Sequence, residues 1–446
     1  MQITLFPIDF HYTSKWYIFK ESELGKIHDS INWEGLSELL PEKRTLRGSP
    51  PWLASKGLFG LMFLKHYTGL SDEKLVERFN TDWAMQLFCG ILLAENELIK
   101  DNSFVSRIRS YLAKYVSVEQ MQQKMLEKWK QNLENSHVML ADATAYESYI
   151  RYPTDVKLLW ECCLWLWDKT IPDICKGFKL KIPRSKFEQQ KKKYLIYSKL
   201  KRKARRKTKT RKRSLLHLVD KGLESVQQLL NQTQGGKLST LDYARIRTIK
   251  RILKQQRQLF NYPGIKIKDR IVSLAKPYVR PIKRGKENRD VEFGMKVHMN
   301  QVDGINVIEY ASFNNFNECK RLKISILKHK KQFGECTHIS ADRIYPTNEN
   351  RRFCTSRKIT TNFDKKGPKK QDKQTKHIKG ILNKARSSSM EGSFGNEKNH
   401  YLLRKVKARS KETEMIWLFF GVFTANAVKM AKKPRTLQSL LQKHAA

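Results

Sequence analysis

A short apolar stretch that ends on an acid occurs twice in this chain, and the two copies constrain the fold more than any other feature. The first is His137-Val138-Met139-Leu140-Ala141-Asp142 and the second is His338-Ile339-Ser340-Ala341-Asp342. Each reads as a short strand. Tyr345-Pro346 stops the second, because proline has no N–H for a strand ladder. The polar, cap-rich run Thr347 to Arg352 then opens a helix. After the first, Tyr152-Pro153-Thr154-Asp155 gives the same stop and cap. An acid at the carboxyl end of a strand faces the crevice where α/β proteins place their chemistry. Such acids are also often only caps, so the pair alone leaves both readings open.

Charge narrows the class of partner. The chain of 446 residues carries 88 Lys+Arg against 43 Asp+Glu, a net charge of +45. A surplus of this size points to nucleic acid, through phosphate neutralisation and counterion release. An RNA binder of ribosomal type satisfies the same charge. Seven cysteines are scattered with no Cys-x-x-Cys pair, which argues against zinc and fits a reducing cytosol. The first residues, MQITLFPIDFHYTSKW, lack the basic and apolar regions of a signal peptide. The longest apolar run, Ile416 to Met430, is broken by Thr424 and Asn426 and is too short to span a bilayer. The expectation is a cytoplasmic, nucleoid-associated protein with no membrane partner.

Six segments follow from the pattern. Residues 1–45 read as polar-aromatic and irregular. Residues 46–135 read as a helical DNA-binding domain. There Leu53, Leu58, Leu61, Met62 and Leu64 mark one apolar face, Gly69-Leu70-Ser71 a turn with an N-cap, and Leu75 and Phe79 the next helix. Helix, Gly-containing turn and helix is the spacing of a helix-turn-helix, although a plain bundle has it too. Lys74 and Arg78 on its exposed face would meet guanine edges. Residues 136–175 begin an α/β core with the Asp142 strand. Residues 176–262 read as a basic helical insertion whose densest run, Lys191 to Arg213, includes Lys201, Arg202, Lys203, Arg205 and Arg206. So many like charges repel unless phosphates are near, but a solvated charged face is the plain alternative. Residues 263–432 read as the rest of the core. It starts with a strand at Arg270 to Ser273. Two strands, Val291 to Gln301 and Ile305 to Phe313, follow as a hairpin turned at Asp303-Gly304. A helix from Asn317, the Asp342 strand, a short strand at Lys358 to Phe363, a basic loop from Asp364 to Lys379, and a closing apolar helix from Glu412 to Met430 complete it. Residues 433–446 form a tail.

A third acid, Glu391, lies in ARSSSMEGSFGNEKNHYLLRKVKAR. Three carboxylates brought together would cage hard cations such as Mg²⁺ or Mn²⁺. Two such ions suit in-line phosphoryl displacement by water or a 3′-hydroxyl.

Several of these strings, in order, resemble the DDE transposases of bacterial insertion sequences. They are YTGLSDEKLVERF, ADATAYESYIRYPTDVKLLWE, YVRPIKRGK with VEFGMKV, ISADRIYPTNENRRFC, and MEGSFGNEKNHYLLRKVKAR followed by IWLFFGVFTANAV. The resemblance runs from about residue 45 to 430. It implies a ribonuclease-H-like catalytic core with a helical N-terminal domain and a basic insertion. It also implies Asp142, Asp342 and Glu391 as catalytic metal ligands for two Mg²⁺ or Mn²⁺ ions, and a homodimer on double-stranded DNA that joins terminal inverted repeats to a target. In groups with a Tyr-x2-Arg-x3-Glu-x6-Lys motif the basic residues hold phosphates. Lys398 keeps its interval from Glu391, whereas the arginine, Arg386, is displaced by one place and Asn383 or Lys384 stands near the tyrosine position. Arg404 is a further candidate for DNA contact. Two other functions remain open at this point: an inactive DNA-binding remnant, and a nuclease or resolvase of the same fold.

Overall fold

The computed structural model describes residues 13–41, 53–94, 96–233, 238–286, 289–364, 367 and 373–433. The described residues up to 149, from 295 to 312 and from 316 onward form one compact unit, and those from 150 to 294 with 313–315 form a second. The expected tail after residue 433, the Gly235-Gly236 break and Pro368 lie outside the described residues. Among the described residues no helix is long and apolar enough to cross a membrane.

The first unit opens with helices where an irregular segment was expected: α1 (Ser14–Glu21), α2 (Glu23–Ser30) and α3 (Trp33–Ser37). Each is short, and each is started by a side-chain cap, from Thr13, Ser22 and Asn32. Their apolar residues are too few for a periodic signal, but Phe19, Ile27 and Leu36 are fully buried. Next come α4 (Ser55–Thr68), α5 (Asp72–Thr81), α6 (Trp83–Phe88), α7 (Phe104–Tyr115) and α8 (Val118–Trp129). Gly69 ends α4 at φ 68°, a conformation that costs a Cβ-bearing residue about 1 kcal/mol or more. Ser71 caps α5 by accepting from the Lys74 N–H at 3.2 Å. Leu75 and Phe79 face inward, and Glu73, Lys74, Glu77 and Arg78 are exposed, as the pattern required.

The strand β1 (Val138–Ser148) does not stop at Asp142 as expected. It runs on because Glu147 and Ser148 pair in parallel with Lys405 and Val406 far along the chain, a partner invisible locally. In the second unit, α9 (Asp155–Cys163) continues through a π-helical stretch into α10 (Ile171–Gly177). Then follow α11 (Phe187–Lys199), α12 (Arg205–Gln232), α13 (Thr240–Asn261) and β2 (Arg280–Lys286). Asp155 ties these together, taking Lys212 at 2.8 Å, Arg270 at 2.7 Å and Gln256 at 3.2 Å. Arg270 to Ser273 is not a strand: the Ile271 N–H is taken by the Gln255 side chain at 3.0 Å instead of by a ladder.

The chain then re-enters the first unit along β3 (Arg289–Val302). Asp303 and Gly304, at φ 48° and 83°, turn it into β4 (Ile305–Ser312), the primed turn that Asp-Gly specifies. A 3₁₀ turn and α14 (Leu322–Phe333) lead to β5 (His338–Ala341), α15 (Asn348–Ser356) and β6 (Thr360–Thr361). Among the described residues the expected basic loop is cut short, because α16 (Lys373–Ala385) starts within it. A π turn, α17 (Glu391–His400), β7 (Lys405–Val406) and α18 (Lys411–Lys432) end the unit. Its sheet runs β4, β3, β1, β5, β6, with β7 beside the far end of β1.

Helix α18 is apolar all round, the mark of a buried helix. It packs against α2, α4, α7 and α8 as well as β4 and α17, so the N-terminal helices share one core with the sheet. Phe420 meets Phe63 edge-on at 5.0 Å and Phe423 stacks on Trp129 at 5.5 Å. Burial of Phe419, Phe420 and Phe423 contributes about 1.5–3 kcal/mol each. At Gly421 a Cβ would lie 2.5 Å from Leu403 Cγ, so this position admits no side chain without displacing Leu403. Elsewhere in the core, Glu309 on β4 is fully buried and takes Arg321 at 2.5 Å, Lys328 at 3.1 Å and His298 at 3.3 Å. Burial pushes its carboxyl up, but the bonds from His298 and Arg321 outweigh that and bring it to about 2.

Candidate active site

Parallel strands β1 and β5 are in register from Val138 opposite His338 to Ala141 opposite Ala341. The next residue in each case is an acid, so Asp142 on β1 and Asp342 just past the end of β5 stand side by side on neighbouring interior strands of the sheet. Glu391 arrives from the other direction, as the first residue of α17. All three carboxylates meet one guanidinium. Arg386 Nη1 lies 3.0 Å from Asp142 and 2.9 Å from Glu391, and Nη2 lies 3.8 Å from Asp342.

The displaced arginine has a structural explanation. Residues Arg386–Met390 form a π turn, and the Glu391 N–H bonds back to the Arg386 carbonyl, five residues away. A π turn inserts one extra residue into a helix. A five-residue interval therefore places Arg386 and Glu391 together, where a regular helix would need four. By the same shift Asn383 takes the place nearest the missing tyrosine. Its side chain accepts from Asn362 at 2.8 Å, and Asn362 clamps the Ala341 backbone by bonds of 3.1 and 2.9 Å. This pair steadies the residue before Asp342. Asn362 carried no motif and was not singled out from sequence.

Burial pushes the Asp142 carboxyl up to about 6, against the pull of the Ala143 N–H and Arg386. Its side chain is 14% exposed, whereas Asp342 and Glu391 are half exposed. Among the described residues no three His, Cys, Asp or Glu side chains are grouped ready to hold an ion. The guanidinium stands between the acids.

Lys398, two turns beyond Glu391, donates to Thr144 Oγ1 at 3.0 Å and lies over the Tyr146 ring. Its neighbour Glu397 is fully buried; it is held by Tyr146 and by Asn306 at 2.5 Å, and burial raises its carboxyl above the usual range. That network fixes α17 to the sheet. Beside Asp342 opens a cleft of about 470 Å³ whose lining includes Arg343, Lys379, Lys384 and Arg386. Arg404 is exposed on the approach to β7. Lys74 and Arg78 sit on α5, Arg78 at 3.4 Å from Asp82. Lys201, Arg202 and Lys203 lie between α11 and α12, and Arg205 and Arg206 open α12 in the second unit; all five are exposed.

Residues 14–111 match a transposase domain family (DUF772). Residues 339–423, which carry Asp342, Arg386, Glu391 and Lys398, match the transposase DDE domain. Both matched stretches are transposase domains, and together they support a DDE-type transposase. This transposase is an enzyme that acts on DNA. Asp142 lies outside both matched stretches, and its place beside Asp342 comes from the strand register. No curated protein and no solved structure matches the chain significantly.

Proposed function

We propose that this transposase cuts and joins DNA at the ends of an insertion sequence, with Asp142, Asp342 and Glu391 as its metal ligands on a ribonuclease-H-like core. The observation that carries the reading is the meeting of all three acids at one guanidinium. The strand order β4, β3, β1, β5, β6, with acids following Ala141 and Ala341, supports the core assignment.

The donor set fits a hard divalent cation, because it is all carboxylate oxygen and already gathers around a positive group. When bound, a pair of Mg²⁺ or Mn²⁺ ions would supply the charge that steadies the attacking and leaving oxygens of a phosphodiester. The chain's own residues do the rest. Asn362 holds the backbone of Ala341, the residue before Asp342, and the Tyr146–Glu397–Asn306 bonds hold the helix of Glu391. Arg343, Lys379 and Lys384 line the neighbouring cleft with charge that suits a DNA strand.

Sequence reading of the element's end falls to α5, where exposed Lys74 and Arg78 project from a helix of major-groove size. The exposed cations from Lys201 to Arg206 grip backbone without reading bases. At the start of α12 no acid and no side-chain cap offsets the helix dipole, so Arg205 and Arg206 face an end that favours anions.

A supercoiled plasmid bearing the terminal repeats tests the reading. With Mg²⁺ the wild type should yield cleaved and joined products. Asp142→Asn, Asp342→Asn and Glu391→Gln should each lose cleavage and retain duplex binding. Full cleavage by any of them removes that residue from the site, and cleavage without joining by the wild type indicates a nuclease.

A further inference from the structure

Arg386 sits where an ion would have to sit. Its Nη1 is within 3.0 Å of oxygens from both Asp142 and Glu391. A cation held by the same two oxygens at ~2.0–2.6 Å would overlap that nitrogen. Guanidinium has five N–H donors and no acceptor, so it satisfies the lone pairs that a metal would use. The two cannot be accommodated together. The π turn is what brings the side chain there, since a regular helix would carry Arg386 off the face of Glu391. Arg386 also lines the cleft with Lys379 and Lys384, so it borders the surface along which DNA phosphate would run.

We propose that Arg386 is a tethered counter-ion that keeps the three carboxylates assembled and closed to metal until a DNA phosphate draws the guanidinium away. Metal loading and DNA binding are then positively coupled through one side chain. This rests on the metal reading of the three acids. Both phosphate and metal favour the state in which Arg386 has left the carboxylates, and linkage makes the coupling mutual: DNA tightens metal by the factor by which metal tightens DNA. The free protein is thereby spared three unpaired carboxylates, and the ion is admitted where substrate is present.

The test is Mn²⁺ binding, read by the electron paramagnetic resonance signal of free Mn²⁺, on the full chain with and without a random-sequence DNA duplex. Titration of the duplex alone supplies the background. Wild type should bind Mn²⁺ about tenfold or more tightly with duplex than without, within the usual range of such coupling. Arg386→Gln should bind Mn²⁺ without DNA as tightly as the wild type does with it, and DNA should add little further. Arg386→Lys, which keeps the charge but not the fork, should fall between them and guards against a variant that misfolds. Tightening by DNA of equal size in wild type and Arg386→Gln overturns the proposal, as does an Arg386→Gln protein that binds Mn²⁺ no better than wild type. Adding Asp342→Asn to Arg386→Gln separates the two layers. If the double variant binds Mn²⁺ as well as Arg386→Gln, the carboxylate site itself is wrong, whatever Arg386 does.

Discussion

Replacing Lys201, Arg202, Arg205 and Arg206 together with glutamine should change the salt dependence of DNA binding by a calculable amount. All four side chains are exposed, and none has a carboxylate at ion-pair distance among the described contacts. Each phosphate contact contributes ~0.9 to the slope of log affinity against log salt, so four lost contacts flatten it by ~3.6. Over a fourfold rise in salt, the wild type should therefore lose ~150-fold more affinity than the variant. Random and terminal-repeat duplexes should respond alike, since backbone contacts carry no sequence. The start of α12 makes a second readout possible. Cations at a helix N-terminus oppose the dipole, so the variant's melting temperature should hold or rise while its DNA affinity falls. Lys212 is the control. It is 14% exposed and bound to Asp155 at 2.8 Å, so Lys212→Gln should lower the melting temperature and leave the slope alone. Fluorescence anisotropy across a salt series measures the slope, and a thermal melt measures the stability. An unchanged slope in the fourfold variant would refute the argument and leave these residues as a solvated face.

Two further outcomes follow from other parts of the molecule. The bonds that hold the Glu309 carboxyl down to about 2 stabilise the fold fully above the ordinary glutamate range, and this contribution is lost as pH falls from about 4.5 through 2. Glu309→Gln should cost about 2–3 kcal/mol at neutral pH, below the full figure for a broken buried pair because Lys328 keeps access to water, and should flatten the acid limb of a denaturation series. On α5, Lys74→Ala with Arg78→Ala should erase the preference for the terminal repeat over random duplex while leaving non-specific affinity within a fewfold, as competition footprinting would show. Preference that survives moves the reader to another element. Deleting the whole N-terminal region cannot replace this test, because α2, α4 and α7 cover α18.

Features written in adjacent residues were legible in the sequence. The Asp303-Gly304 turn, the Ser71 cap with Leu75 and Phe79 beneath it, and the two strands leading to Asp142 and Asp342 each carry their own local cause. What depends on distant partners was not. β1 reads as ending at Asp142 because its continuation pairs with Lys405 and Val406, far along the chain. The first helices escaped notice because each is too short to show a period. The π turn left only a trace, an arginine one place out of step, and spacing alone cannot say whether such a residue has lost its role or the backbone has moved to keep it. Asn362 had no signal at all: its worth lies in two bonds to the backbone of Ala341.

The position of α18 also bears on how the protein is made. The helices of the first hundred residues emerge from the ribosome long before the one that fills the space between them, and β1 waits some two hundred residues for β5. Until Ile416 to Met430 has been translated, Phe59, Phe63 and Trp129 have no Phe420 or Phe423 to pack against. A message cut short, or a frameshift anywhere upstream, thus yields a chain with an exposed apolar interior, fit for proteolysis. Completion of synthesis is in this way a condition for making a folded transposase.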